Sequence, residues 1–533
     1  MSTNSNESPL AGDDAVIDLP SSSDASSIEK DLNTVLDEKA NLSSTTTSID
    51  VEAQKQAVPA NSGLPDAEDD PYLVTWDGPL DPTNPMNFKF VKKIRILLIV
   101  STLTFIVPLA SSMFAPGVPE LMRDFNNSNT TLASFVVSIY ILGFAIGPLV
   151  VAPLSEMYGR SIVYKISTFI YTVFTIGAGE CNNLASMFVL RFLAGLIGST
   201  SIALGSGSVA DVMPMEKRGK YMSLYILGPV LGPSVGPVIG GFLAAVSWRW
   251  VFRAIGILSG IMTIVVFLFL PETYGPNILH AKANRLRKQS GNEKYHTMYE
   301  DRLSGPVALF MKNIIRPCKL LILSPIVLLM SIYTAMTYGQ LYLLFTTFTV
   351  VFEEQYGFST DVVGLSYLGL GLGCLVSVLI IIRYSDRILL QMAAKSGEKK
   401  PEYRLPLLLI LSPLNIVGLV MYAWTVQFAV HWIVPLIATF LIGVGILATF
   451  SPTISYLVDA YTIYAASASS ASTMVRSLGG AVLPLAGPKM YAALGYGWGN
   501  TTLAFIMLAI TPLPFFLYVK GEWLRKTFSP KLN

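Results

Sequence analysis

Two arginines stand inside stretches that are otherwise apolar. Arg191 lies in Leu190-Arg191-Phe192-Leu193-Ala194-Gly195 and Arg476 in Met474-Val475-Arg476-Ser477. If these stretches cross a bilayer, each guanidinium costs about 2.5–3.5 kcal/mol on insertion scales unless it meets water, a carbonyl or a carboxylate. Each therefore has two readings: a functional charge turned inward, or a side chain that snorkels to the interface. A second group sits where apolar stretches end: Glu156 and Arg160 in Pro153-Leu154-Ser155-Glu156-Met157-Tyr158-Gly159-Arg160, then Asp211, Asp386 and Asp459, with Glu180 as a helix-end charge. An acid at a helix end beside a tight glycine turn caps a neighbouring helix or pairs with an arginine, and such a pair would lock a gate. The alternative is a plain charged loop that sets topology.

Enzyme chemistry finds no support. The three histidines, His280, His296 and His431, are not spaced with cysteine or one another as metal ligands, so no metal site is expected. Gly369-Leu370-Gly371-Leu372-Gly373 lacks the Gly-Lys-Ser/Thr ending of a phosphate loop and reads as close helix packing. Cys181, Cys318 and Cys374 fall in an outer loop, an inner loop and a helix, which predicts no disulfide. Tyr140, Tyr225, Tyr338, Gln340 and Tyr342 are candidates to line a cavity, against the plainer role of packing. No acid lies well inside most of the apolar stretches. That suits neutral or amphipathic organic ligands better than polycations.

The elements that position these residues are membrane spans. Hydrophobic residues make up 52 % of the 533 and charged ones 14 %, with mean hydropathy +0.54, which excludes an ordinary soluble protein. Basic residues fall in short loops rather than in one patch, so no nucleic-acid partner is expected. Twelve stretches approach the roughly 20 residues that a crossing needs: 94–116, 132–153, 162–180, 187–211, 219–243, 250–270, 322–345, 361–383, 405–425, 432–456, 463–485 and 499–519. Their loops place the basic clusters on the side of both termini, which the positive-inside rule makes cytosolic. Asn126, Asn129 and Asn500 open glycosylation sequons on the opposite, outer side. Residues 1–90 form a polar, disordered tail and pre-helix segment without a signal-peptide core, 91–271 a six-helix half, 272–321 a cytosolic linker, 322–519 a second half and 520–533 a tail.

Internal repeats support the division. Phe192-Leu193-Ala194-Gly195 and Asp211 recur as Phe440-Leu441-Ile442-Gly443 and Asp459 at an offset of 248, and Ser155-Glu156 answers Ser385-Asp386 at 230. The expected fold is all-α and polytopic: twelve transmembrane helices in two parallel six-helix halves.

One stretch adds a family likeness. Gly228-Pro229 to Gly241 repeats Gly-Pro at four-residue spacing, through Gly232-Pro233 and Gly236-Pro237 to Gly240-Gly241. In water this would break a helix; in a bilayer the segment stays helical, its freed groups are met by neighbours, and its small residues admit another helix closely. It resembles the fifth-helix signature of drug:proton antiporters in the major facilitator superfamily. The Trp76-Asp77-Gly78-Pro79 segment and Pro271-Glu272-Thr273-Tyr274 resemble fungal twelve-span antiporters, the Pro153–Arg160 loop resembles the superfamily's loop between spans two and three, and Arg191-Phe192 with Gly195 resembles the family's fourth-span proton-coupling signature. The loop departs from the family pattern: Glu156 replaces an aspartate and Met157 a basic residue. The resemblance implies the major facilitator fold and monomeric proton-coupled export of small organic substrates by alternating access. The proton gradient stands in for a cofactor, and Arg191, Glu156, Arg160, Asp211, Asp386 and Arg476 serve coupling or gating. It also implies the plasma membrane or an internal one. The rivals are polyamine export, facilitated uptake and a transceptor that binds without transporting.

Overall fold

The computed structural model describes residues 70–299, 306–461 and 465–528. The tail up to residue 69, part of the linker and residues 529–533, read above as polar termini and linker, lie outside the described residues. Nearly everything else is helix. The first six spans are α1 (Phe90–Met113), α2 (Thr130–Tyr158), α3 (Arg160–Gly179), α4 (Leu184–Val212), α5 (Met215–Ala244) and α6 (Trp248–Phe269). After two linker helices, Gly275–Ser290 and Pro306–Leu323, come α7 (Pro325–Tyr356), α8 (Leu368–Ser396), α9 (Pro413–Gln427) and α10 (Ile433–Tyr461). The long run Ala465–Ile510 breaks at Gly495, where φ is 71°, into α11 (465–494) and α12, which continues through Pro512–Thr527.

The break corrects one expectation. α11 runs about two turns beyond residue 485, so Asn500 is not in a loop but in the first turns of α12. It is fully buried, with Oδ1 accepting from Tyr491 Oη (2.8 Å) and Nδ2 donating to the Tyr496 carbonyl (2.9 Å). A nitrogen committed in this way is closed to a glycan. Asn126 and Asn129 are exposed as expected, although Asn129 also caps α2 through Oδ1. α8 likewise runs on for more than three turns past residue 383, to Ser396, and takes up residues expected in a loop.

The two halves repeat one pattern of neighbours. α1 packs on α5, α2 on α4 and α3 on α6; six helices later, α7 packs on α11, α8 on α10 and α9 on α12. Two seams join the halves, α2 along α11 and α5 against α8. Glycines set the closest approaches. A Cβ on Gly195 or Gly443 would overlap the backbone of Tyr140 or Leu370, its partner helix in the same half, and a Cβ on Gly369 would come within 2.5 Å of the Leu436 carbonyl oxygen.

The Gly-Pro stretch is one continuous helix. Pro237 has no N–H, which frees the Pro233 carbonyl one turn back, and Ser112 Oγ of α1 donates to that carbonyl at 2.9 Å. Gly228, Gly232, Gly236 and Gly240 lie on one face against the α1 backbone from Ser101 to Met113. These four glycines thus tighten a contact inside the first half. Contact with the second half comes from the other faces of α5: Gly241 meets Thr360 and Asp361, and Ser234 meets Gly371.

Candidate functional site

Between the halves lies a cavity of about 680 Å³. It opens at the end of the bundle that carries Asn126 and Asn129, the sequon end. From the first half it is lined by Val118, Met122, Ser134 and Val137, and from the second by Thr346, Thr347, Tyr491 and Tyr496. Hydroxyls and apolar side chains dominate; Glu354, exposed near its mouth, is the one ionisable acid or base among the lining residues apart from the tyrosines.

Beneath the cavity the halves meet in a polar layer. Tyr342 of α7 bonds Ser111 of α1 through their hydroxyls at 2.9 Å. Arg191 of α4, only 2 % exposed, reaches the same point from the other side: Nε donates to the Val136 carbonyl (3.0 Å), and its terminal nitrogens to Ala110 (3.5 Å) and Ser111 (3.3 Å). Ala110 and Ser111 belong to the last turn of α1, whose carbonyls lack intrahelical partners, so the guanidinium caps that helix at the negative end of its dipole. Rings of Tyr140, Phe114 and Phe252 surround it at 4.9–5.7 Å. Arg191 therefore points inward and does not snorkel, and carbonyls rather than a carboxylate hold it.

Arg476 also points inward, its guanidinium 4.8 Å from the Tyr338 ring and 5.5 Å from Phe450. The five candidate cavity residues belong to packing in this conformation. Tyr140, Tyr225, Gln340 and Tyr342 are at most 5 % exposed, and neither they nor Tyr338 line the cavity. Tyr140 donates to the Val107 carbonyl and Tyr225 to that of Ile202, while Gln340 exchanges two amide hydrogen bonds with Asn415 (2.8 and 3.0 Å).

At the opposite, basic end each half carries a charge cluster. In the first, Arg160 pairs with Asp211 at 2.5 Å; in the second, Arg404 pairs with Asp459 at 2.9 Å and Asp386 at 2.6 Å. Two of these acids are the repeat partners read from the sequence. Glu156, read either as a gate acid or as a plain loop charge, is exposed and lies near Tyr274. The cap on α3 comes from Glu272, whose carboxylate accepts from the backbone N–H of Arg160 (3.0 Å) and Ser161 (3.1 Å). Gly159, with φ at 91°, leaves room for that carboxylate, which a Cβ would strike. Burial, with Glu156 nearby, pushes the Tyr274 phenol up to about 12. Glu272 is visible in the sequence only as part of a family-like run, and long-range pairing leaves no spacing signal for it or for Arg404. Glu180 is the helix-end charge expected, bonded by Arg253 (2.8 and 3.3 Å), which lowers its carboxyl below the usual range.

A strap crosses the linker at the basic end. Tyr72 and Val74 exchange backbone hydrogen bonds with His296, and Lys282 of helix Gly275–Ser290 bonds the Thr75 carbonyl (2.9 Å) and Asp77 (2.6 Å). Helix Pro306–Leu323 packs on both α2 and α11, across one seam.

A twelve-helix membrane protein with a cavity between two pseudo-equivalent halves defines a transporter rather than an enzyme. The chain belongs to the major facilitator superfamily, whose sequence model matches residues 100–484. It is 48 % identical over 475 residues to the MFS-type transporter penM of Penicillium rubens (89 % of this chain, 93 % of that one). It is 45 % identical over 461 residues to the efflux pump radE of Floropilus chiversii (86 % of each). Among solved structures a D-xylose–proton symporter shares the fold, with TM-score 0.60 and 15 % identity over 79 % of this chain and 98 % of that one.

Proposed function

We propose that this protein is a proton-coupled antiporter that exports small amphipathic organic compounds by alternating access. The observation that carries the reading is the cavity between the halves, open at the sequon end, with the Arg191–Ser111–Tyr342 layer beneath it and a charge cluster in each half beyond. Taken with the basic loops, the sequon end is the outer face and the structure is an outward-open state, so both termini are cytosolic. A lining of hydroxyls and apolar groups, without a carboxylate at depth, favours amphipathic molecules over polyamines. Two halves that rock about the α2–α11 and α5–α8 seams would carry such a molecule past the central layer, with proton and substrate favouring opposite states. The efflux-pump relative supports the direction.

Uptake of labelled lipophilic compounds into inside-out vesicles, with and without an imposed proton gradient, tests this. Gradient-dependent accumulation is the expected result. Equilibration indifferent to the gradient would make the protein a facilitator, and preferential uptake of polyamines would overturn the substrate class.

A further inference from the structure

Arg476 is a central cation without a counter-charge. Its Nε is buried with no hydrogen-bond partner, and no carboxylate lies within ion-pair range of it among the described residues. Arg191, by contrast, has its donors spread over three carbonyls. The two aromatic faces beside Arg476 hold the half-buried guanidinium in place but give its Nε no acceptor.

The position lies on the route between the two ends. One turn along α11, a Cβ on Gly480 would come within 2.7 Å of Tyr338 and 3.2 Å of Ile141, so α2, α7 and α11 of both halves converge there. From Thr346 in the cavity lining, Tyr342 is one turn deeper and Tyr338 two, which puts Arg476 about 12 Å beyond the cavity. A molecule crossing between the halves passes it.

We propose that Arg476 binds the carboxylate of an aromatic organic acid, which makes aromatic acids a substrate class of this transporter. The planar guanidinium matches a carboxylate through two parallel N–H···O bonds, and Tyr338 and Phe450 offer flat surfaces to the ring system. In a site of low dielectric, an anion that supplies the missing charge is favoured over its neutral isostere. The inference rests on the transport reading for its context, but binding can be measured without flux.

The test is equilibrium binding of labelled aromatic carboxylates and their matched carboxamides, naphthoate and naphthamide among them, to the full-length protein in lipid nanodiscs, with flux measured in vesicles. Arg476→Gln is expected to weaken carboxylate binding about 10- to 100-fold and leave carboxamide binding unchanged, with Arg476→Lys in between. Unchanged carboxamide binding and thermal melting show that the variant is folded. Equal weakening of both ligand classes, or no preference for carboxylates in the unsubstituted protein, overturns the proposal. Arg476-dependent binding without flux sustains it and sinks the transport reading; gradient-driven flux of carboxamides alone does the reverse.

Discussion

Adding one methyl group along the glycine face of α5 is expected to range from neutral to strongly destabilising with position. At Gly228 a Cβ would stand 3.0 Å from the Ser101 carbonyl and 3.1 Å from Phe105 N. A shift of a few tenths of an ångström accommodates it. Alanine also relieves the backbone entropy of glycine, worth about 0.5–1 kcal/mol in a helix, so Gly228→Ala should be neutral within about 0.5 kcal/mol. At Gly232 the new atom would lie 2.7 Å from the Phe105 carbonyl and 2.9 Å from Leu109 N, both rigid helix backbone. Reaching the roughly 3.3 Å of a close C···O contact opens the α1–α5 seam by about 0.6 Å, which forfeits a quarter or more of each dispersion contact there. Overpacking of this kind costs about 1–3 kcal/mol, and the entropy gain offsets only part of it. At Gly240 the Cβ would overlap the Met113 carbonyl outright, so Gly240→Ala should exceed Gly232→Ala. Thermal melting of the purified variants in one detergent, followed by size-exclusion recovery, reads the series. Gly240→Ala melting with the unsubstituted protein, or Gly228→Ala proving the most damaging of the three, would rule out backbone overlap with α1 as the determinant.

Three further outcomes follow from the same contacts. Arg191→Met removes the donors from two end-of-helix carbonyls, at about 1–3 kcal/mol each, but also the desolvation of a guanidinium of similar size; melting should fall by no more than about 3 kcal/mol in stability while gradient-driven flux is lost, and intact coupled flux would contradict its role. Glu272→Ala strips the cap from α3 and should destabilise the protein by about 2 kcal/mol in a thermal melt; a melt unchanged by the substitution would show that this carboxylate does not hold the α3 terminus. On expression in a glycosylating host, Asn500→Gln should leave the electrophoretic mobility after endoglycosidase digestion, and before it, unchanged, whereas any glycan present should vanish with Asn126→Gln and Asn129→Gln together.

The crossings were legible because the bilayer imposes a length and a composition on every one of them, and the halves because Asp211 and Asp459 fall at equal places in two similar stretches. Arg191 could be singled out since a charge in an apolar run is conspicuous, yet nothing local told that its partners would be carbonyls of Ala110 and Ser111, some 80 positions earlier. The separation of the last two spans was legible, but Ala, Gly and Tyr around Gly495 suit either a packed helix or a turn, so nothing local told that α11 would run on to residue 494 and leave Asn500 buried beneath it. Glu156 and Glu272 show the same limit: which of two acids meets the α3 terminus depends on the return of α6, and no spacing within either motif records that return.

The strap between residues 72–77 and the linker has a consequence in time. Asp77 meets a lysine 205 residues later in the chain, and His296 follows further on. At about 5–20 residues per second, a ribosome takes on the order of 10–40 s to deliver that partner after the segment itself has emerged. All six helices of the first half are made in the interval. The strap therefore closes only over a finished half, as a latch that cannot be set until all six of its helices have been made.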